Sequence, residues 1–231
     1  MDLLQVEGEL TGRVRGLQVE EWSDLELLRI ATQGFEVLNL KDSEGALASK
    51  LVEQSFGSPL IMQELCSELC EYNGIEKQVD GPELILRRPE WSSFFGKIAA
   101  TIKPSLIESL KIGPTERRRR TQIAITGSDA YVDMCSALLL AVGRLAPKRS
   151  MTPVEISDSM NEFVTNRRPL DQIRRACRGM VKIADSSKGA GDSALDFATN
   201  PEKLTVVDPY LIFFIGWGLQ GLELPVVRKS A

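Results

Sequence analysis

A glycine and a proline two residues apart, in Ser55-Phe56-Gly57-Ser58-Pro59-Leu60-Ile61-Met62, confine the first third of this chain to short helices that meet at a tight corner. Glycine ends a helix readily because it accepts the left-handed backbone, and proline's fixed φ suits the first turn of the helix that follows.

The flanking sequence fits that corner. After a polar start with a short strand around Gly16 to Val19, Ser23-Asp24-Leu25-Glu26 forms a capping box, and a helix begins there. Leu25, Leu28, Ile30, Ala31, Phe35 and Leu38 supply its apolar face, which Gly34 weakens only locally. Asp42 or Ser43 caps a second helix, which carries Leu47, Leu51 and Val52 and closes at Phe56-Gly57. A third helix opens at Pro59, carries Leu60, Ile61, Leu65, Cys66, Leu69 and Cys70, and ends at Asn73-Gly74.

Three short helices joined by tight turns, with Gly57-Ser58-Pro59-Leu60 at the second junction, resemble the small helical lid of the STAND and origin-recognition branch of AAA+ ATPases. The stretch from Gly12 to Trp22 is similar to the passage in that family from ATPase core to lid, so the resemblance covers about residues 8 to 75. It implies that Gly57, Ser58 and Pro59 lie near a bound nucleotide and that the lid moves when phosphate is lost. Arg13 and Arg15 would be phosphate sensors under the same resemblance; solvated surface charges are the alternative. The chain departs from the family by absence: it contains no Gly-x-x-x-x-Gly-Lys-Ser/Thr loop and no hydrophobic strand ending in an acidic magnesium-binding pair, and its basic glycine segment Ser187 to Asp192 lacks the required spacing. ATP and magnesium are therefore expected only where a P-loop core is supplied, and autonomous hydrolysis is not expected.

Residues 76–127 change character. Pro82, Pro89, Pro104 and Pro114 break them into pieces, which reads as a helical connector anchored by Trp91, Phe94 and Phe95. Arg117, Arg118, Arg119 and Arg120 form the densest positive run, suited to the phosphates of DNA, RNA or a nucleotide, or else to a solvated face.

Residues 128–231 read as three helices and a hairpin. A first helix runs from Ser128-Asp129 through Tyr131, Met134, Leu138 and Val142. Thr152-Pro153-Val154-Glu155 starts a second with a capping box and a first-turn proline. A third carries Leu170, Ile173, Cys177 and Met180 on one side and Arg174, Arg175, Arg178 and Lys182 on the other. Strands over Ala194 to Ala198 and Leu204 to Val207 follow, joined by Asn200-Pro201-Glu202. This order resembles the C-terminal winged helix carried by many ATPases of the same branch, and Val207-Asp208-Pro209-Tyr210-Leu211-Ile212-Phe213-Phe214 is similar to the segment that ends those proteins. In a DNA-binding winged helix the third helix enters the major groove, which would make Arg174, Arg175, Arg178 and Lys182 the contacts. A solvated face on a protein-binding module is the competing reading. Tyr210, Phe213, Phe214 and Trp217 are assigned to the core.

Composition narrows the chemistry. The 231 residues contain no histidine, which removes the usual general base and every mixed Cys/His zinc site. Four cysteines read as buried thiols rather than metal ligands, although Cys66 and Cys70 share a helix face. Glu64, Glu68 and Glu71 read as a solvated face, leaving no catalytic or metal-ligating residue to name. The net charge of −4 argues against wholesale coating of nucleic acid. Apolar runs such as Leu138 to Val142 fall short of the roughly 18 residues that span a bilayer, and Met1 to Leu10 carries acids where a signal peptide carries bases, so a cytoplasmic protein is expected.

The expected architecture is mainly α. An AAA+-like helical lid, with the end of an ATPase core, occupies residues 1–75; a helical connector occupies 76–127; and a winged helix-turn-helix with a small β-hairpin occupies 128–231. The expected function is the regulatory C-terminal portion of a STAND/AAA+-like ATP-binding protein, coupling the nucleotide state of a missing or separate P-loop core to the winged helix. The alternatives are a stand-alone winged-helix DNA-binding regulator and an adaptor that binds a protein partner or itself.

Overall fold

The computed structural model describes residues 21–102, 105–113, 122–187, 193–219 and the backbone of 227–228. The chain is mainly helical, with three small sheets among the described residues. None of its described helices is long and apolar enough to cross a membrane.

Helix α1 (Asp24–Val37) starts where the local chemistry directs it. Ser23 Oγ accepts from the Glu26 amide and the Glu26 carboxylate accepts from the Ser23 amide at 2.8 Å, satisfying two first-turn donors reciprocally. Leu27, Ala31 and Phe35 face the core. Strand β1 (Leu40–Lys41) follows and pairs in parallel with β2 (Leu84–Ile85). Helix α2 (Ala46–Glu53) begins later than its sequence suggests. Gly45, left-handed at φ 64°, is the cap position, and Asp42 reaches across the turn to accept from the Ala48 amide at 2.9 Å. Helix α3 (Pro59–Tyr72) opens as expected, with Ser58 Oγ accepting from the Ile61 amide at 3.4 Å and Pro59 in the first turn.

Helix α4 (Trp91–Ile102) is more than a piece of linker. Phe94, Phe95, Ile98 and Ala99 are buried, and Trp91 stacks on Phe95 at 5.2 Å between ring centroids. Helix α5 (Leu106–Ile112) buries Ile107 and Leu110.

Strand β3 (Ile123–Ala124) falls at the end of the expected connector, and β4 (Ala130–Val132) occupies the segment expected to begin a helix. Gly127, at φ 75°, turns the chain there, and β4 pairs with β3 and with β8 (Val227–Arg228). Helix α6 (Met134–Leu145) therefore starts after Asp133, whose carboxylate caps the Ser136 amide at 2.8 Å. Next come β5 (Ser150–Met151), α7 (Pro153–Asn161), α8 (Leu170–Ser187), β6 (Leu195–Thr199) and β7 (Glu202–Val206). The antiparallel sheet has the order β5-β7-β6, with Thr205 paired to both Ser150 and Asp196. Helix α9 (Pro209–Phe213) continues as a π-helical turn over Phe214–Gly218. That turn approaches α6 closely because residue 143 is glycine: a Cβ there would lie 2.7 Å from the Ile215 carbonyl oxygen.

Buried apolar residues from Leu27 to Leu219 form one continuous cluster. Its aromatic seam joins the segments: Phe95 lies 4.9 Å from Trp217 and 6.0 Å from Phe213, and Phe213 in turn meets Phe56 edge-on at 6.4 Å.

Candidate functional site

The Gly57-Ser58-Pro59 corner is built by two consecutive left-handed residues, Phe56 at φ 51° and Gly57 at φ 74°. Position 57 requires glycine on two grounds, its φ and the 2.8 Å that would separate a Cβ from Glu21 Cβ. The Gly57 carbonyl accepts from the Trp22 amide at 3.1 Å and the Ser58 amide donates to Ser55 at 2.9 Å. Beneath the turn, buried Ser55 donates its hydroxyl to Leu51 at 2.7 Å. The Gly57 carbonyl and the Ser58 amide, carbonyl and hydroxyl are thus engaged by the chain's own residues.

Arg149, just before β5, joins this corner to the C-terminal sheet. Its Nε donates to the Val206 carbonyl at 3.0 Å and its Nη2 to the Val207 carbonyl. Its Nη1 donates to the Phe56 carbonyl at 3.0 Å and to the Glu21 carboxylate. The Arg149 side chain is 17% exposed, whereas that of Glu21 is 65% exposed, so the ion pair lies at the rim and the carbonyl contacts lie behind it. Two further polar contacts cross the same junction: Trp217 Nε1 donates to Gln54 Oε1 at 2.8 Å, and the Tyr210 hydroxyl to Glu64 at 3.4 Å. Burial, and then the Glu64 charge, raise the Tyr210 hydroxyl above its ordinary pKa. Sequence reading passes over Arg149, because its partners are mostly carbonyl groups remote in sequence and no spacing rule reports such contacts.

Helix α8 carries Arg174, Arg175, Arg178 and Lys182 within one helical face, as expected. Two of the four are held by the hairpin. Arg174 donates to Glu202 at 2.7 Å and to Asp171 at 2.8 Å, and Arg178 donates to the other Glu202 oxygen at 3.5 Å while lying 5.4 Å over the Phe197 ring. The hydrogen bond to Glu202, followed by that to Asp171, raises the already high pKa of the Arg174 guanidinium. Arg175 donates to its own helix at the Asp171 carbonyl, and Lys182 is exposed. Sequence reading missed both carboxylates; the i,i+3 spacing of Asp171 and Arg174 is a signal that could have found the first, whereas Glu202 leaves none, since the hairpin fold brings it there.

Arg13 and Arg15, the strand around Gly16 to Val19, Arg117 to Arg120 and residues 188–192 of the basic glycine loop lie outside the described residues. Cys66 and Cys70 border a hollow of about 260 Å³ with Ile30, Gly34, Phe35 and Ile75. Burial, and then the neighbouring Cys70, push the Cys66 thiol up to about 12, and burial pushes Cys177 to about 12. Both are neutral thiols at physiological pH and poor nucleophiles.

The chain matches no protein-family model, no curated protein and no solved structure.

Proposed function

We propose that this chain is the regulatory C-terminal portion of a STAND/AAA+-like ATP-binding protein, in which a helical lid passes the nucleotide state of a P-loop core to a winged helix-turn-helix. The observation that carries the reading is the Arg149 guanidinium, which holds the Phe56 carbonyl on one side and the Val206 carbonyl on the other. A corner that moves with phosphate loss would pull on the end of β7 through this one side chain. Two features add support. The corner combines a left-handed glycine, a serine cap and a first-turn proline. Residues 134–206 run helix, strand, helix, helix, strand, strand, and the first strand pairs with the last, as a winged helix requires.

The test is hydrogen exchange on the protein purified with its native assembly, with magnesium and either ATP or ADP. Protection at Phe56 to Ser58 and at Val206 to Val207 is expected to change together, and Arg149→Ala is expected to confine the change to the corner. The reading fails if the assembly holds no P-loop polypeptide, on this chain or another, and neither nucleotide alters exchange.

A second reading, a winged-helix DNA-binding regulator, is favoured by a different observation: Arg175, Arg178 and Lys182 are exposed along one face of α8 beside the β6–β7 hairpin. Helix and hairpin together would straddle a duplex, the helix in the major groove and the hairpin against phosphate.

A further inference from the structure

Glu202 begins β7 at the hairpin turn, and its two carboxylate oxygens are divided between Arg174, at 2.7 Å, and Arg178, at 3.5 Å. Asp171 holds a second edge of Arg174 at 2.8 Å, and Asp185 lies near the other end of the same helix face, itself engaged. A carboxylate shared by two guanidiniums makes the same kind of charge-assisted contact that a backbone phosphate would make. The Glu202 side chain is 29% exposed and that of Arg178 is 49% exposed, so solvent screens these pairs and each is weak alone. Reach also matters. Glu202 sits on the hairpin, and any shift of the hairpin relative to α8 withdraws the carboxylate while leaving the arginines on their helix.

We propose that Glu202 masks a polyanion site on α8: its carboxylate occupies Arg174 and Arg178 in place of nucleic-acid phosphate, and a duplex must displace it to bind. The inference rests on reading α8 as a nucleic-acid-facing helix and adds to that reading a gate, the residue that closes it and the two residues it closes. In the closed state only Arg175 and Lys182 of the four cations lack a carboxylate partner among the described residues. That leaves a face less basic than its four cations alone would make it.

The test compares the chain with its Glu202→Gln variant, which keeps the size of the side chain, removes its charge and leaves one acceptor oxygen where two arginines now share two. Binding of a labelled random-sequence DNA duplex is followed by fluorescence anisotropy over a salt series. Freeing Arg178, and the edge of Arg174 that Asp171 does not hold, predicts affinity at low salt roughly tenfold tighter than wild type, and a dependence on log salt steeper by about one to two, at roughly 0.9 per phosphate contacted. Adding Arg174→Ala and Arg178→Ala to Glu202→Gln should return both quantities to or below wild type. Asp171→Asn, which frees one edge of Arg174 without touching the hairpin, should give a smaller gain, and it serves if Glu202→Gln does not fold. Equal, salt-sensitive binding by wild type and Glu202→Gln would overturn the mask and leave the DNA reading standing. No binding by either would remove the DNA reading, and the mask with it.

Discussion

Phe56 and Gly57 share the left-handed region, yet only one of them is glycine. Holding a bulky side chain there costs about 1–2 kcal/mol, and the surroundings of Phe56 offset it. Its ring is buried against Phe213, and its carbonyl is held by Arg149. Gly57 has no such compensation available to a replacement, because a methyl group would meet the Glu21 stem at 2.8 Å as well as the unfavourable φ. Gly57→Ala is expected to cost about 1–3 kcal/mol. Gly34 provides the opposite case. It is helical, with nothing within 4 Å of where a Cβ would stand, so Gly34→Ala should stabilise by up to about 1 kcal/mol. Thermal melts should show opposite shifts of several degrees, at about 2–4 °C per kcal/mol for a chain of this size. Shifts of the same sign would mean that the corner is not held as described.

Helix α7 depends on a few local atoms at its start. Thr152 Oγ1 accepts from the Glu155 amide at 3.3 Å, while Glu155 accepts from the Thr152 amide at 2.8 Å and from Lys148. Thr152→Ala should cost about 1 kcal/mol, the usual worth of such a cap. The Lys148 ammonium, followed by the two Thr152 donors, holds the Glu155 carboxyl down at about 2. A carboxylate depressed in the folded state contributes stability that is present above its unfolded pKa, near 4.5, and lost as pH falls toward about 2. Urea midpoints measured across that window should therefore fall less steeply in Glu155→Gln than in wild type; parallel slopes would mean that the carboxylate does not contribute. Local chemistry of this kind is what made α1, α3, α7 and the β6–β7 hairpin legible in the sequence, since cap, glutamate and proline lie within four residues of one another. Helix α6 was misplaced at its start because β4 lies between β3 and a strand almost a hundred residues later, and strands of two or three residues have too short a pattern to announce themselves. The α8 cations lie on one helix face as expected, while the carboxylate that engages Arg174 and Arg178 arrives through the hairpin and leaves no local trace.

Across the whole molecule, the decisive element is one that sequence alone treats as a connector. Phe95 on α4 touches Trp91 on its own helix, Phe213 at the end of α9 and Trp217 in the π-helical turn, and Trp217 then bonds Gln54 beside the corner. Aromatic spacing revealed that α4 would bury large rings, but not that their partners lie more than a hundred residues away. Such a seam makes the first and last described segments share a core, so they should melt together, and scanning calorimetry of the wild type should show one transition with matching calorimetric and van't Hoff enthalpies. Truncating Phe95, which is fully buried, should cost about 3–5 kcal/mol and weaken the seam rather than either end. Phe95→Ala is therefore expected to split the transition in two. Trp217→Phe should keep a single transition while losing about 1–3 kcal/mol, because the indole donor goes and buried Gln54 loses its partner. Two transitions already in the wild type would mean that Arg149 and the rim contacts, not the aromatic seam, are what join the corner to the C-terminal sheet.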